Sequence, residues 1–291
     1  MEISVRAYAK INLMLDILSR LDNGYHDLFM IMQSVGLYDD ITVKTNNSGN
    51  ITVSCNVPGI PCDEKNIAYK AAEAFFEGAD TTNCGISIHI EKSIPHAAGL
   101  AGGSADGAAV IVALDKLFDT RLNEKRLIEI GSRVGSDVPF CILGGTMLAQ
   151  YTGTVLSHLP DLEEKYVIIV KPDQDVSTAK AYAAFDTAER VRHLDTKCML
   201  TAVINNDWKT VSDKVGNVFE QFIEVTDRTV IKGIMRDNGC LCSCMSGSGP
   251  SIFGIFGEKS KADGCIEALQ KKGFEKSFLC KTKTVGCEVS E

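Results

Sequence analysis

The chain has 291 residues, of which 45% are hydrophobic and 23% charged, a composition typical of a globular protein with a buried core. Its formal net charge of -8 opposes binding to a long polyanion, so the sequence argues against a DNA- or RNA-binding protein. A local group of backbone amides can still bind a small phosphorylated molecule, and the length suggests about two domains around a cleft.

The start of the chain and its cysteines predict a cytoplasmic protein without a membrane segment. The first ten residues (MEISVRAYAK) lack the basic head and apolar run of a signal peptide. No uninterrupted apolar stretch in the sequence is long enough to span a bilayer. Eleven cysteines, an odd number spread over the whole chain, favour reduced buried thiols over a disulfide framework.

The first half of the sequence predicts several strands and three helices. Alternating or continuous apolar residues predict strands at 3–18, 27–35, 40–45, 51–55 and 85–91, with a turn at 22–24. We interpret 46–50 (NNSGN) as the turn of a hairpin that joins 40–45 to 51–55. Helical periodicity predicts helices at 65–78, 104–118 and 123–134.

The second half mixes further helices with a small sheet. Strands are predicted at 146–149, 166–170, 241–245, 251–256 and 277–283, and helices at 177–188, 195–206, 226–237 and 260–271. Because strands and helices do not alternate regularly, we predict an α+β fold rather than a doubly wound sheet. A domain boundary near 152–165 fits this division.

A glycine-rich stretch at 95–104 (PHAAGLAGGS) links a predicted strand to a predicted helix. Glycine permits positive φ and a close backbone approach, and the free amides at a helix start favour an anion. The hydroxyl of Ser104 adds a hydrogen-bonding group for a phosphate or a metal-bound water. The stretch matches neither the P-loop pattern nor the dinucleotide fingerprint, yet it favours phosphate binding over a simple tight turn.

A second loop at 245–251 (MSGSGPS) lies between two short apolar strands. It is either a plain hairpin loop or a further group of amides and hydroxyls for an anion. Nearby, Cys240, Cys242 and Cys244 form a C-x-C-x-C run. Zinc ligands are usually spaced two to four residues apart and need a second pair, so we favour buried strand cysteines.

Asp137 and Lys10 are the candidate catalytic residues. Asp137 could cap a short following helix, and Lys10 could be a lysine at a strand edge with its ammonium in water. A lysine within an apolar strand nevertheless needs a partner, because a buried unpaired ammonium is costly. Phosphoryl transfer would give both a role, since the acceptor hydroxyl needs a base and a lysine would keep that carboxylate ionised.

Tyr25 and His26 follow the turn at 22–24 directly. Such a pair is usually a surface feature, but an aromatic ring beside an imidazole also suits a pocket that stacks on a base and reads its edge. The sequence alone does not decide between these two interpretations.

Five segments taken in order resemble the GHMP kinase superfamily, which includes galactokinase and the homoserine, mevalonate and phosphomevalonate kinases. They are 9–13 (AKINL), 23–26 (NGYH), 95–106 (PHAAGLAGGSAD), 135–139 (GSDVP) and 246–249 (SGSG). The resemblance extends over essentially the whole chain. The segment that ends at His26 is most similar to members that phosphorylate a cytidine-diphosphate-linked methylerythritol in the non-mevalonate isoprenoid route.

This resemblance implies a two-domain α+β fold, with a ribosomal-protein-S5-like domain at 1–155 and a ferredoxin-like α+β domain at 156–291. It implies ATP as co-substrate, Mg²⁺ as cofactor, and transfer of the γ-phosphate to a 2-hydroxyl of the methylerythritol. Carried onto this sequence, Asp137 is the general base and Lys10 its partner.

The resemblance also implies two sets of binding residues. Those for ATP are Asn66, Pro95, Gly99, Leu100, Ala101, Gly102, Gly103 and Ser104. Those for the cytidyl substrate are Asn12, Tyr25, His26, Tyr182, Ser246, Gly247 and Ser248. Tyr182 is expected to stack on the cytosine, with Phe185 as the alternative.

The chain departs from the superfamily pattern in two places. Gly107 stands where the helix start more often carries alanine, and 144–153 (GGTMLAQYTG) lacks an arginine-glycine pairing near its end. Alternative interpretations are a homoserine- or mevalonate-type kinase, a non-catalytic nucleotide-sensing module on the same fold, or a structural protein with fortuitous glycine turns. We expect a monomer or weak homodimer that binds a small molecule.

Overall fold

The fold is α+β, as the sequence predicts. The computed structural model describes residues 1–46 and 48–290. Its strands are β1 (Glu2–Arg20), β2 (His26–Thr45), β3 (Ile51–Cys55), β4 (Ile86–Glu91), β5 (Thr146–Tyr151), β6 (Val155–His158), β7 (Tyr166–Val170), β8 (Gly216–Asn217), β9 (Cys242–Met245), β10 (Ile252–Phe256), β11 (Ser277–Lys283) and β12 (Cys287–Ser290). Its helices are α1 (Ile67–Gly78), α2 (Gly102–Leu117), α3 (Glu124–Val134), α4 (Val138–Leu143), α5 (Thr178–Asp186), α6 (Thr196–Ile204), α7 (Trp208–Lys214), α8 (Arg228–Asp237) and α9 (Lys259–Lys271), and a 3₁₀ turn spans Val218–Gln221.

The long strands β1 and β2 form an antiparallel hairpin around the predicted turn at 22–24. The two predicted strands at 27–35 and 40–45 are in fact one strand, so that part of the prediction is wrong. Between Tyr8 and Ala9 of β1 the register shifts, because residues 36 and 37 of β2 have no partner there. Such a bulge bends a strand without ending it, and the sequence pattern alone suggested a break.

β3 does not form the predicted hairpin with β2. It pairs in parallel with β4, and β4 lies between β3 and β2. A parallel pair requires a crossover connection, which here contains α1. Residues 46–50 instead connect β2 to β3, two strands that are not neighbours, so the hairpin predicted there is wrong; Asn47 among them lies outside the described residues.

Strand pairing is continuous from the first half of the chain to the second, in the order β12-β1-β2-β11-β7-β10-β9. β11 makes the connection, because its residues 277–281 pair with β7 and its last two residues pair with β2. β12 then returns to pair with β1. The last strand of the chain is thus part of the sheet that contains the first.

Helices α1 and α2 pack closely against each other over the sheet of the first half. A Cβ added to Gly107 of α2 would lie 2.9 Å from Cγ2 of Ile67 in α1. Alanine would force the helices apart, so the glycine at this position has a packing reason. Gly107 itself is buried together with most of α2.

The other predicted helices and strands are present, with ends within a few residues of the prediction. The sequence analysis missed only short elements: α7, β6, β8, β12 and the 3₁₀ turn, while α4 corresponds to the short helix suggested after Asp137. Elements of two to seven residues contain too little of a period to be recognised. In the described part of the chain, no helix combines the length and apolar character needed to cross a bilayer.

Candidate active site

The glycine loop at 95–101 leads from β4 into α2. Ala97, Gly99 and Ala101 all have positive φ, at 50°, 74° and 59°. α2 begins at Gly102, two residues before the predicted start, and no side chain caps its first N–H groups. Uncapped amides at a helix start bind anions, so this end of α2 can hold a phosphate.

The second loop packs directly against the first. Ser246 Oγ donates to the carbonyl of Gly99 at 2.9 Å, and a Cβ added to Gly99 would lie 2.2 Å from the carbonyl oxygen of Ser246. Only glycine permits this approach. The loop is therefore more than a plain hairpin connection. A hydrogen bond of 2.9 Å between Ser248 and Thr178 joins it also to the start of α5.

Asp137 and Lys10 come together beside these loops. The Lys10 ammonium, in β1, lies 4.0 Å from Asp137 Oδ2, just before α4. Lys10 is 5% exposed and donates to Asn12 Oδ1 at 2.8 Å, and the same oxygen accepts from Gly247 N at 3.0 Å. The buried ammonium of Lys10 thus connects the partly exposed carboxylate of Asp137 to the second loop through Asn12. These contacts provide the partners that a buried ammonium requires.

His26, the first residue of β2, and Tyr182, in α5, form an aromatic pair. Their ring centroids are 4.7 Å apart at an interplanar angle of 25°. The His26 Nε2 is 2.7 Å from Asp186 Oδ1, one helical turn after Tyr182 in α5. Tyr25 beside them is 65% exposed. Burial, with the negative charge of Asp137 adding to it, raises the pKa of Tyr182 to about 12 and keeps the phenol neutral.

A cavity of about 1120 Å³ extends from the Asp137–Lys10 pair to the His26–Tyr182 pair. Of the predicted residues it is lined by Lys10, Tyr25, His26, Gly99, Ala101, Asp137, Tyr182, Gly247 and Ser248. Phe185, the alternative to Tyr182, does not line the cavity and packs edge-on against both His26 and Phe222. The cavity volume suits a ligand larger than a simple amino acid or sugar.

The sequence analysis missed several residues that line this cavity, among them Asp186, Thr178 and Tyr151. Asp186 had a detectable signal, because it lies four residues after Tyr182 and therefore on the same helix face. Tyr151 and Thr178 had none, since only the fold brings the end of β5 and the start of α5 to the cavity.

Of the eight predicted ATP residues, Gly99 and Ala101 line this cavity; Leu100, Gly102, Gly103 and Ser104 follow on the same loop and helix start, whereas Asn66 and Pro95 have other surroundings. Asn66 caps α1: its Oδ1 accepts from Ala68 N at 2.8 Å and its Nδ2 donates to the carbonyl of Pro61. Pro95 lines a second, smaller cavity of about 430 Å³ on the glycine loop, together with Lys171 and Lys276. Contact of either residue with ATP remains a prediction.

A buried group of three charges lies below the start of α2. The Lys92 ammonium is 2.6 Å from Asp39 Oδ2 and 2.8 Å from Asp106 Oδ2. Burial and the neighbouring Asp39, opposed by Lys92, raise the pKa of Asp106 to about 8. One ammonium faces two carboxylates, so we infer that one carboxyl group keeps its proton up to that pH.

The cysteine run does not form a metal cluster. Cys242 and Cys244 lie in β9, which agrees with the strand predicted at 241–245, and Cys240 precedes it. Burial raises the pKa of Cys242 to about 12 and that of Cys244 well above its usual value. Within residues 1–46 and 48–290, no three His, Cys, Asp or Glu side chains are arranged to hold a metal ion.

Comparison with known proteins identifies the family. The N-terminal domain model of the GHMP kinases matches residues 66–145, and the C-terminal model matches 199–275. The chain is 41% identical over 285 residues to a 4-diphosphocytidyl-2-C-methyl-D-erythritol kinase of Caldicellulosiruptor bescii, covering 97% of this chain and 98% of the relative. A kinase of the same name from Clostridium perfringens is 39% identical over 284 residues, with the same coverage.

Solved structures agree with this result. A crystal structure of 4-(cytidine 5'-diphospho)-2C-methyl-D-erythritol kinase is 29% identical, with a TM-score of 0.76 over 97% of this chain and 99% of that one. Homoserine kinase from Cytophaga hutchinsonii has a TM-score of 0.80 over 99% and 97% of the two chains, but at 19% identity it supports the fold alone. The chain has the two-domain α+β fold of the GHMP kinases and belongs to their 4-diphosphocytidyl-2-C-methyl-D-erythritol kinase family.

Proposed function

We propose that this enzyme transfers the γ-phosphoryl group of ATP to the 2-hydroxyl of 4-diphosphocytidyl-2-C-methyl-D-erythritol. The observation that carries the proposal is the cavity that joins the Asp137–Lys10 pair and the glycine loops to the His26–Tyr182 pair. A nucleotide-linked polyol has a base at one end and a hydroxyl at the other, so it matches a cavity with an aromatic end and a carboxylate end.

Asp137 is the proposed general base. Its carboxylate takes the proton of the 2-hydroxyl as the oxygen attacks the γ-phosphorus and the bond to ADP breaks. Lys10, buried at 4.0 Å from Asp137, stabilises the charge that develops on the phosphoryl oxygens during the transfer. Catalysis here is mainly positioning and charge stabilisation.

The remaining residues bind and orient the two substrates. The amides at the start of α2, with Gly99 and Ser104 beside them, hold the phosphates of ATP. Asn12 is fully buried, accepts from Lys10 and Gly247 through Oδ1 and donates to Met30 Sδ through Nδ2, so it would help place the polyol by holding Lys10 and the second loop in position. Tyr182 stacks on the cytosine, since it lines the cavity, whereas Phe185 supports His26 edge-on without lining it.

Mg²⁺ is part of the proposal. This ion is usually held by one or two carboxylates together with substrate phosphates and several waters, so no cluster of three protein ligands is required. The oxygen chemistry around the glycine loop fits it, because Ser104 offers a hydroxyl to a metal-bound water. When bound with ATP, the ion supplies positive charge that neutralises the phosphate oxygens.

We also propose a cytoplasmic location and a monomer or weak homodimer. All eleven cysteines are free thiols in the structure, which suits a reducing compartment. Light scattering of the purified chain over a concentration series tests the assembly, and a stable higher oligomer would contradict it.

The reaction is tested by ADP release with the cytidyl substrate. Wild type should release ADP only when that substrate is present, and Asp137→Asn should lower kcat by about 10²–10⁴-fold, a typical loss for a general base. Asp213→Asn, on the exposed side of α7, is the control and should keep the full rate.

A panel with homoserine and mevalonate separates the family alternatives. Wild type that prefers either compound would overturn the substrate assignment. Full activity of Asp137→Asn would show instead that the base is assigned to the wrong residue.

A further inference from the structure

The turn between β5 and β6 contains an unusual tyrosine. Tyr151 has φ of +62°, a left-handed conformation that is unfavourable for a bulky residue. Gly153 N donates to the carbonyl of Gln150 at 3.0 Å and closes the turn, so Tyr151 is its first central residue. Tight hairpin turns with positive φ at this position normally carry glycine there.

This tyrosine is directed to the cavity without a partner in the protein. It is 51% exposed and lines the cavity together with Thr152, Gly153 and Thr154. Within the described residues its phenol oxygen makes no hydrogen bond, and the two threonine hydroxyls lie 3.1 Å apart. Unfavourable backbone conformations persist most often where a residue serves a ligand.

The strand beside it shows which part of the cavity Tyr151 faces. His26, Leu28 and Met30 alternate along β2, and all three line the cavity. His26 stacks on Tyr182, whereas Met30 is in contact with Asn12 beside Lys10. Successive residues of a strand are about 3.4 Å apart, so Leu28 lies roughly 7 Å from each of the other two.

Tyr151 pairs with Leu28 and is therefore midway between the aromatic end and the carboxylate end. In the substrate of the proposed function, a ribose and two phosphates join the cytosine to the methylerythritol. That linker must cross the middle of the cavity whenever the base and the reacting hydroxyl are bound at the two ends.

We propose that Tyr151, with the hydroxyls of Thr152 and Thr154, binds the ribose–diphosphate linker of the nucleotide substrate. The phenol and the two hydroxyls are hydrogen-bond donors that suit phosphate oxygens. This inference rests on the proposed function. It assigns a role to a segment that departs from the superfamily pattern, so the contact is a property of this chain's own residues.

The test is Tyr151→Gly, which should weaken binding of the cytidyl substrate without lowering the stability of the fold. Glycine adopts the positive φ freely, so the melting temperature should not fall. The KM for the cytidyl substrate should rise about tenfold, while KM for ATP and kcat stay within about twofold. Tyr151→Phe should show part of the rise, because it removes the phenol hydroxyl and keeps the ring. Asp80→Gly, also at positive φ but beyond the end of α1, is the control and should leave both KM values unchanged.

Direct binding distinguishes this inference from the proposed function. By calorimetry, Tyr151→Gly should weaken binding of CDP about tenfold and leave binding of cytidine within twofold. Equal affinity of wild type and variant for CDP would overturn the inference, and so would an equal loss for CDP and cytidine, which would move the contact to the base. Failure of wild type to release ADP would overturn the proposed function alone, because CDP binding still reports on the linker contact.

Discussion

The ammonium groups of Lys10 and Lys92 are both buried near the glycine loops, and each has a carboxylate within 4.0 Å. Their surroundings differ in one respect. Lys10 is close to the partly exposed Asp137, whereas Lys92 contacts two buried carboxylates, those of Asp39 and Asp106. The first arrangement leaves a carboxylate available to a substrate, and the second ties the start of α2 to the sheet.

The Lys92 group predicts a pH dependence of stability. Burial raises the pKa of Asp106 to about 8 from an ordinary value of 3.8, so the folded state holds the proton more tightly than the unfolded chain. The contribution of the protonated Asp106 to the free energy of unfolding is complete below about pH 4 and is lost as the pH rises through about 8.

Asp106→Asn removes this titration and should keep the ion pair between Lys92 and Asp39. Urea unfolding at pH 5 and pH 9 measures the effect. The free energy of unfolding of wild type should fall relative to that of the variant as the pH rises. A difference between the two proteins that is constant with pH would contradict the assignment.

At the scale of elements, α5 provides one side of the aromatic end of the cavity. Tyr182 and Asp186 are one turn apart on this helix, and both contact His26 of β2. Ser177 caps the helix start, and Thr178 is bonded to Ser248 in the second loop. The position of α5 is therefore linked to both ends of the cavity.

Asp186 is a positioning residue in this arrangement, because it acts through the ring of His26. Asp186→Ala should raise KM for the cytidyl substrate about tenfold, or ~1.4 kcal/mol, with kcat within about threefold. Asp186→Asn keeps a hydrogen-bond acceptor and should recover part of the loss. Glu189→Ala, just beyond α5, is the matched control. An unchanged KM in Asp186→Ala would show that His26 keeps its place without this contact.

At the scale of the whole molecule, the end of the chain supports the helix that follows the base. β12 pairs with β1, and Cys287 Sγ lies 3.4 Å from the carbonyl oxygen of Cys141 in α4. Gly286 is packed against the same carbonyl. The last strand, α4 and Asp137 at the start of α4 are thus one packed unit.

Gly286→Ala tests this coupling. The added Cβ would lie 2.0 Å from the Cys141 carbonyl oxygen, so the backbone must move. We expect a loss of about 1–3 kcal/mol in the free energy of unfolding, typical of overpacking, together with a lower kcat. Gly264→Ala in α9, where the nearest atom is 3.7 Å away, should instead be neutral or stabilising. Equal stability of the two variants would contradict the close packing.

The sequence by itself determined the α+β class, most of the longer elements and the family. Periodicity of 3.6 or 2 residues is a local property, and the glycine loop, AKINL and NGYH are contiguous motifs, so no tertiary information was needed. The pairing of Asp137 with Lys10 was also within reach, because the resemblance assigned both residues before their distance was known.

Only the tertiary structure decided which strands pair and which residues line the cavity. β3 was assigned to the wrong neighbour because a turn-like sequence does not reveal a parallel crossover, and the bulge in β2 looked like a strand end. Tyr151 and Thr178 belong to different elements and reach the cavity through strand register and helix packing. These are long-range contacts, which no local pattern in the sequence encodes.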